Sequence, residues 1–173
     1  VFVVSSDGNI YAMNQSTGKP EWMFKTNGEQ QYGIWDYYLS SPVVENGVVY
    51  AGSGDSCVYA LDSGTGRCIW KYKTSGIVHA TPVIAGGVVY IGSYDGNFYA
   101  LDAKTGKLKW KFKTVGDAYF PLGEIQKAAV IVDNTVIFGS RDYNIYALDA
   151  NTGTGKWNMK ELGSWIIATP LVF

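Results

Sequence analysis

The chain has 173 residues, of which 47% are hydrophobic, 15% aromatic and only 17% charged, with a net charge of −1. That is apolar mass enough for one sizeable core, and near-neutrality removes any electrostatic case for nucleic acid or an anionic membrane surface as partner. The apolar runs are strand-sized and broken by Gly and Ser, so none reaches the length of a transmembrane helix.

In chain order, the first segment opens directly on VFVVSS, without start methionine or leader, as expected of a mature product or a fragment. Residues 1–26 read as three strands separated by turn residues. A long loop, Asn27–Leu39, follows, and then a four-strand unit over Ser41–Thr74. Ser75–His79 is a short connection. The next unit, residues 80–114, is the cleanest. A first strand at Thr81–Ile84 turns at Ala85-Gly86-Gly87 into an apolar strand, Val88–Ser93, expected to be buried on both faces. Tyr94-Asp95-Gly96-Asn97 makes a tight turn into Phe98–Asp102. The last strand, Leu108–Thr114, alternates Leu, Trp and Phe with Lys, as a half-exposed outer strand does. A second long loop, Val115–Gln126, leads to another unit at Ala128–Lys160. Glu161–Ile167 then connects to Ala168–Phe173, whose ATPLVF matches ATPVI and reads as a first strand.

One phrase punctuates all four units: MNQSTGKPEW, LDSGTGRCIW, LDAKTGKLKW and LDANTGTGKW. Its tryptophans, Trp22, Trp70, Trp110 and Trp157, are 48, 40 and 47 residues apart. Four-stranded units at this period predict an all-β protein, a β-propeller of antiparallel blades. A β-sandwich would not need the repeated turn. The expected organisation is one domain, 1–173, a part of a propeller, with blades near 1–26, 40–74, 80–114 and 127–160 and residues 168–173 starting a further or shared blade. The phrase has a mechanical reading. Asp62, Asp102 and Asp149, with Asn14 in the first copy, cap the turn. Gly18, Gly66, Gly106 and Gly153 supply a left-handed residue. Each tryptophan lays its ring on the neighbouring blade.

Cys57 and Cys68 flank the second copy. If the turn is Asp62–Gly66, Leu61 faces Arg67, Ala60 faces Cys68 and Cys57 faces Lys71. The thiols are then about 10 Å out of register at roughly 3.3 Å per residue, too far for a disulfide, so both are expected free.

The phrase resembles the tryptophan-docking repeat of the pyrroloquinoline-quinone-type propellers, Ala-x-Asp-x-x-Thr-Gly-x-x-x-Trp. It stands here as ALDSGTGRCIW (60–70), ALDAKTGKLKW (100–110) and ALDANTGTGKW (147–157), with AMNQSTGKPEW (12–22) departing by Asn for Asp. The resemblance covers essentially the whole chain. It implies a ring that commonly closes with eight blades, hence either an incomplete view of a longer propeller or two chains completing one ring by exchanging Ala168–Phe173. Self-closure of four blades is the third option. The family includes quinoprotein alcohol and sugar dehydrogenases, BamB-type barrel-assembly lipoproteins and sensor domains. Short blades and plain loops look more like the BamB type. The dehydrogenases' Cys-Cys disulfide is absent, and Trp35-Asp36-Tyr37 is the sole match to the run around their catalytic Asp.

The expectation is therefore a non-enzymatic scaffold for a protein or peptide partner in the periplasm, envelope or outside the cell, with self-association as an added option. No nucleic acid, membrane insertion or cofactor is expected, and no metal. The alternatives are a fragment of a quinone- and calcium-dependent dehydrogenase, or a ligand-sensing domain. Propellers bind through loops at one end. The loops joining successive units supply Tyr32, Trp35, Asp36, Tyr37, Tyr38, His79, Tyr119, Phe120, Glu124 and Trp165, and the turns between second and third strands add Asp7, Asp55, Asp95, Arg141 and Asp142. Aromatics, carboxylates and an arginine suit a protein-binding surface. Each has a plainer reading as well: the aspartates as turn formers, Trp35 and Tyr37 as loop filling, and His79, the single histidine, as a loop or interface residue. Asp95-Gly96-Asn97 supplies too few oxygens for calcium. Asn14-Gln15-Ser16 fits a glycosylation acceptor by a pattern common by chance. Lys109, Lys111 and Lys113 form a solvated strand face.

Overall fold

Alternating and continuous apolar runs become fifteen strands among the described residues. The computed structural model describes residues 1–28, 39–160 and 163–171, and among these there is no helix. The first sheet has three strands: β1 (Phe2–Val4), β2 (Asn9–Met13) and β3 (Pro20–Lys25). Three four-stranded antiparallel sheets follow. They are β4 (Val43–Glu45), β5 (Val48–Ser53), β6 (Cys57–Asp62), β7 (Cys68–Lys73); β8 (Val83–Ala85), β9 (Val88–Gly92), β10 (Asn97–Asp102), β11 (Leu108–Lys113); and β12 (Val130–Val132), β13 (Thr135–Gly139), β14 (Ile145–Asp149), β15 (Gly155–Met159). Every sheet keeps its strands in sequence order, so each is a meander. This is the all-β, partial-propeller arrangement expected from the repeats.

The middle strands are the core. All of Val88–Gly92 is buried, whereas β11 alternates exposed lysines with Trp110 and Phe112. The first strands of the three four-stranded sheets are three residues long, and β4 and β8 start just after a proline, β8 at Val83 rather than Thr81, because Pro82 has no N–H to give to a ladder. Ser93 and Thr114 fall just beyond their strands.

The hairpin register differs from expectation. Leu61 pairs with Cys68, Ala60 with Trp70 and Cys57 with Lys73. The turn accounts for one residue of the difference and a bulge between Ala60 and Leu61 for the second, and the bulge recurs at Ala12/Met13, Ala100/Leu101 and Ala147/Leu148. The extra residue re-aims the strand so that the tryptophan faces the next sheet. Both cysteines are free, as expected. Of the strand expected at Ala168–Phe173, residues 168–171 are not in a strand and the rest lie outside the described residues.

Successive sheets meet through one repeated joint. The indole N–H of Trp22 donates to Ser63 O at 3.0 Å, that of Trp70 to Ala103 O at 2.9 Å and that of Trp110 to Ala150 O at 3.0 Å. Each ring lies over the turn glycine of the following sheet. A Cβ on Gly66, Gly106 or Gly153 would sit 2.6–2.7 Å from the indole, and all three have φ near +70°. Asp62, Asp102 and Asp149 hold those turns by accepting the backbone N–H and hydroxyl of Thr65, Thr105 and Thr152. Asn14 does the same for Thr17, next to Gly18. Farther along the joint Phe24, Tyr72 and Phe112 meet Tyr59, Tyr99 and Tyr146 edge-on at 5.2–5.6 Å. Trp157 and Met159 hold the corresponding positions on the fourth sheet and are about half exposed.

Truncating a ring inside a joint should leave a cavity, and truncating one outside should not. We expect Trp110→Ala to lower the unfolding free energy by about 3–5 kcal/mol and Trp157→Ala by under about 1 kcal/mol. Urea unfolding of the two variants side by side is the check, and equal losses would refute the joint.

Candidate binding face at the loop end

The chain leaving each four-stranded sheet recrosses that sheet's own second strand. Val78, Ile125 and Ile166 pack over Gly52, Gly92 and Gly139, where any Cβ would collide with them. The N–H groups of these three residues donate to Ser53, Ser93 and Ser140 carbonyls. This brings the connecting loops and the turns between second and third strands to one end of the stack.

A second repeated network fixes that end. The turn aspartates Asp55, Asp95 and Asp142 are buried. Each accepts the hydroxyl of the tyrosine four residues on: Tyr59 at 2.5 Å, Tyr99 at 2.6 Å and Tyr146 at 2.6 Å. Each also accepts a backbone N–H from the loop leaving the preceding sheet, from Asn27, Ser75 and Gly116 respectively, at 2.9–3.1 Å. They are turn formers, and they also clamp neighbouring sheets. They are therefore not free to meet a partner, and of the four turn aspartates only Asp7, on the first sheet, is exposed. The signal was present as Asp-x-x-x-Tyr in every copy (7–11, 55–59, 95–99, 142–146).

The remaining candidates separate by burial. Tyr32, Trp35, Asp36, Tyr37 and Tyr38 lie outside the described residues. His79 is 3% and Glu124 4% exposed, so neither stands on the outer surface, because the recrossing loops tuck them against the second strands. The His79 ring meets Tyr94 edge-on at 5.4 Å, and Gln126 Nε2 donates to the Tyr94 hydroxyl at 2.7 Å. Arg141 donates its backbone N–H to Glu124 O at 3.0 Å.

The others converge. The guanidinium carbon of Arg141 lies 4.7 Å from the Phe120 ring centroid and 4.9 Å from that of Trp165, and the two rings meet edge-on at 5.1 Å. Cation–π contacts of this kind contribute about 0.5–2 kcal/mol each. Tyr119, next to Phe120 in the chain, is 81% exposed. Asp117 fixes this loop by accepting the N–H groups of Tyr119 and Phe120 at 2.8 and 2.6 Å. A cavity of about 460 Å³ opens between Tyr119, Tyr143 and Lys160.

Among the described residues no three His, Cys, Asp or Glu side chains are grouped to hold a metal. The run Trp35-Asp36-Tyr37, on which the quinone-and-calcium alternative rests, falls outside them.

Residues 34–164 match the family described as outer membrane protein assembly factor BamB. The chain belongs to this family. No curated protein matches it. Among solved structures it is similar to BamB from Moraxella catarrhalis, at 24% identity and a TM-score of 0.74, covering 99% of this chain and 49% of that one. It is similar too to the quinohemoprotein alcohol dehydrogenase of Comamonas testosteroni, at 22% identity and a TM-score of 0.78, covering 92% and 33%. The quinohemoprotein alcohol dehydrogenase ADHIIG of Pseudomonas putida HK5 is 32% identical, with a TM-score of 0.64, over 70% of this chain and 20% of its own. The chain thus spans about half of the BamB structure and a third or less of the dehydrogenases.

The turn networks fix the response to pH at both extremes. Hydrogen bonds from Tyr11 hold Asp7 at about 2. The Thr65 and Thr105 hydroxyls hold Asp62 and Asp102, and the Thr152 backbone holds Asp149, below the usual carboxylate range. A depressed folded pKa stabilises above the unfolded value and loses that stabilisation as pH falls. Burial first, and the aspartate bonds second, push Tyr59, Tyr99 and Tyr146 well above the phenol value of 10.0. Their contribution is complete below pH about 10 and is lost above it. Stability by urea titration should be flat in between, falling below pH about 4 and above about 10. Phenolate absorbance at 295 nm should show a class of tyrosines that ionise only as the protein unfolds, and smooth ionisation of all thirteen near pH 10 would contradict the clamp.

Proposed function

We propose that this protein is a non-enzymatic propeller scaffold that binds a protein or peptide partner through the loop end of its sheets, in the bacterial or archaeal cell envelope. The observation that carries the reading is Arg141, in cation–π contact with Phe120 and Trp165, with the exposed Tyr119 next to Phe120 in the chain. Arginine and large aromatics are the residues that dominate protein interfaces, and a charge already held by two ring contacts loses little entropy on binding. The opposite end of the stack holds the Asp–Thr–Gly turns, whose polar groups are spent on their own backbone. Membership of the BamB family supports an assembly or adaptor role and an envelope location.

A second reading, a fragment of a quinone-dependent alcohol dehydrogenase, is favoured by the similarity to the two dehydrogenase structures. One pair of experiments separates them. A photo-crosslinking residue at position 119 or 165 should give discrete protein adducts in cells, and the same residue at position 104, on the opposite end, should give none. Equal adducts from both ends would count against the loop face. Stoichiometric uptake of pyrroloquinoline quinone with calcium, together with dye reduction in the presence of an alcohol, would overturn the scaffold reading.

A further inference from the structure

Each joint between sheets has two unlike halves, and the chain carries one unused example of each. The donor half is the tryptophan face, and on the fourth sheet it is open. Trp157 is 50% and Met159 51% exposed, where Trp70 and Trp110 are 8% and 9%. Among the described residues the Trp157 N–H reaches no carbonyl. Ile145, on the same face, is only partly buried, whereas Val58 and Phe98 at the corresponding positions are fully buried.

The acceptor half is the face that carries the turn glycine, and on the first sheet it is open. The turn there is built like the three that hold an indole. Asn14 accepts the backbone N–H and hydroxyl of Thr17, and Gly18 has φ 67°. No described atom lies within 4 Å of a Cβ placed on Gly18, whereas an indole lies 2.6–2.7 Å from one placed on Gly66, Gly106 or Gly153. Gln15 O stands where Ser63 O, Ala103 O and Ala150 O receive their indoles. By strand register Val3, Tyr11 and Met13 correspond to Ala51, Tyr59 and Leu61. Those three are at most 2% exposed, packed against the first sheet, while Val3, Tyr11 and Met13 are only partly buried. Asp7 accepts the Tyr11 hydroxyl as the buried clamps do, but among the described residues it accepts no N–H from another sheet's loop.

We propose that the fourth sheet of one copy of this chain docks on the first sheet of a second copy, and the second copy's fourth sheet on the first sheet of the first. The occupant follows from the halves. Three joints show which surface covers which, and the chain itself presents the missing surface. Trp157 donates its N–H to the partner's Gln15 O and lays its ring over the partner's Gly18. The Met159 thioether takes the place that Phe24, Tyr72 and Phe112 hold elsewhere and meets the partner's Tyr11, a contact sulfur and aromatic rings favour. Donor meets acceptor at both contacts. Once one contact has formed the other is intramolecular, which favours the closed pair over further growth. The chain aligns with 49% of the BamB structure, so two copies run to about its length. Contact between copies must offset lost translational freedom that the internal joints do not. The pair therefore forms with concentration, and the dilute chain is single.

The test is sedimentation of the 173-residue chain from about 1 µM to about 1 mM. The mass should rise from one chain to two and stop there. Trp157→Ala should weaken pairing at least about tenfold. Gly18→Asn should do the same, because asparagine accepts a left-handed backbone but its Cβ would meet the ring. Neither side chain packs in a joint within the chain, and the dispersion of amide resonances should report intact sheets in both. Mixed together, the two variants regain one intact Trp157–Gly18 contact and should pair about tenfold tighter than either alone. Leu108→Ala, 42% exposed on the outer strand of the third sheet, should leave pairing unchanged. A single chain at the highest concentration, growth past two copies, pairing that persists in both variants, an equal loss in Leu108→Ala, or a mixture no tighter than its parts would each overturn the proposal. Both substitutions lie away from the loop end, so crosslinks at positions 119 and 165 test the partner reading separately.

Discussion

An indole N–H reaching across to the carbonyl of the next sheet's turn organises this molecule. A four-stranded meander of about 35 residues cannot cover both its faces, and each face left open costs apolar exposure. The tryptophan solves this with one side chain. Its ring covers apolar area and its N–H satisfies a backbone carbonyl that would otherwise be buried unmet. Ala103 O shows how fully the joint is used, since it accepts from both Trp70 and the Tyr50 hydroxyl. The ring can approach because the turn residue beneath it is a glycine at φ near +70°. That glycine can hold its shape because an aspartate and a threonine tie down the turn around it. Sequence repeat, turn geometry and sheet stacking are one constraint expressed at three scales.

The buried Asp–Tyr clamp closes the other end of each joint, and the two ends divide the work. At the Trp–Gly end the polar groups are consumed by capping. At the clamp end the connecting loops cross the second strands, so differences in loop length and content are free to accumulate there without disturbing the sheets. Tyr119 and Phe120 on one such loop, Trp165 on the next and Arg141 on the turn between β13 and β14 gather there. Rigid sheets carrying variable loops are a common arrangement for recognition.

Much of this was legible in the residues. The phrase ending in Trp22, Trp70, Trp110 and Trp157 is visible because a tight turn admits few residue types and the ring must follow at a fixed offset. The meander order followed from alternation and turn chemistry. The register slipped by one residue at the turn, where Leu61 pairs with Cys68 and not Arg67, and by a second at the bulge, where Ala60 pairs with Trp70; neither leaves a mark on composition. The clamp was overlooked for a related reason. An aspartate in a turn and a tyrosine in a strand each have a sufficient local explanation, and the third member is a backbone N–H some 20 to 28 residues earlier, with no side chain to betray it. His79 and Glu124 looked like surface groups because a loop is hydrophilic by default. Their burial depends on how Val78 and Ile125 fold back over Gly52 and Gly92, a long-range packing event.

The joint also has a direction. In all three instances the indole belongs to the earlier sheet and the carbonyl to the later one. Two faces related by a twofold axis would present donor to donor and acceptor to acceptor, so this joint cannot form between equivalent faces. Any stacking that uses it must run head to tail, in the heterologous sense that closes a ring or continues as a fibre. The chemistry of a single hydrogen bond therefore excludes the simplest symmetric pairing of these faces, and it makes the geometry of closure, more than the strength of contact, the property that keeps such a protein from polymerising.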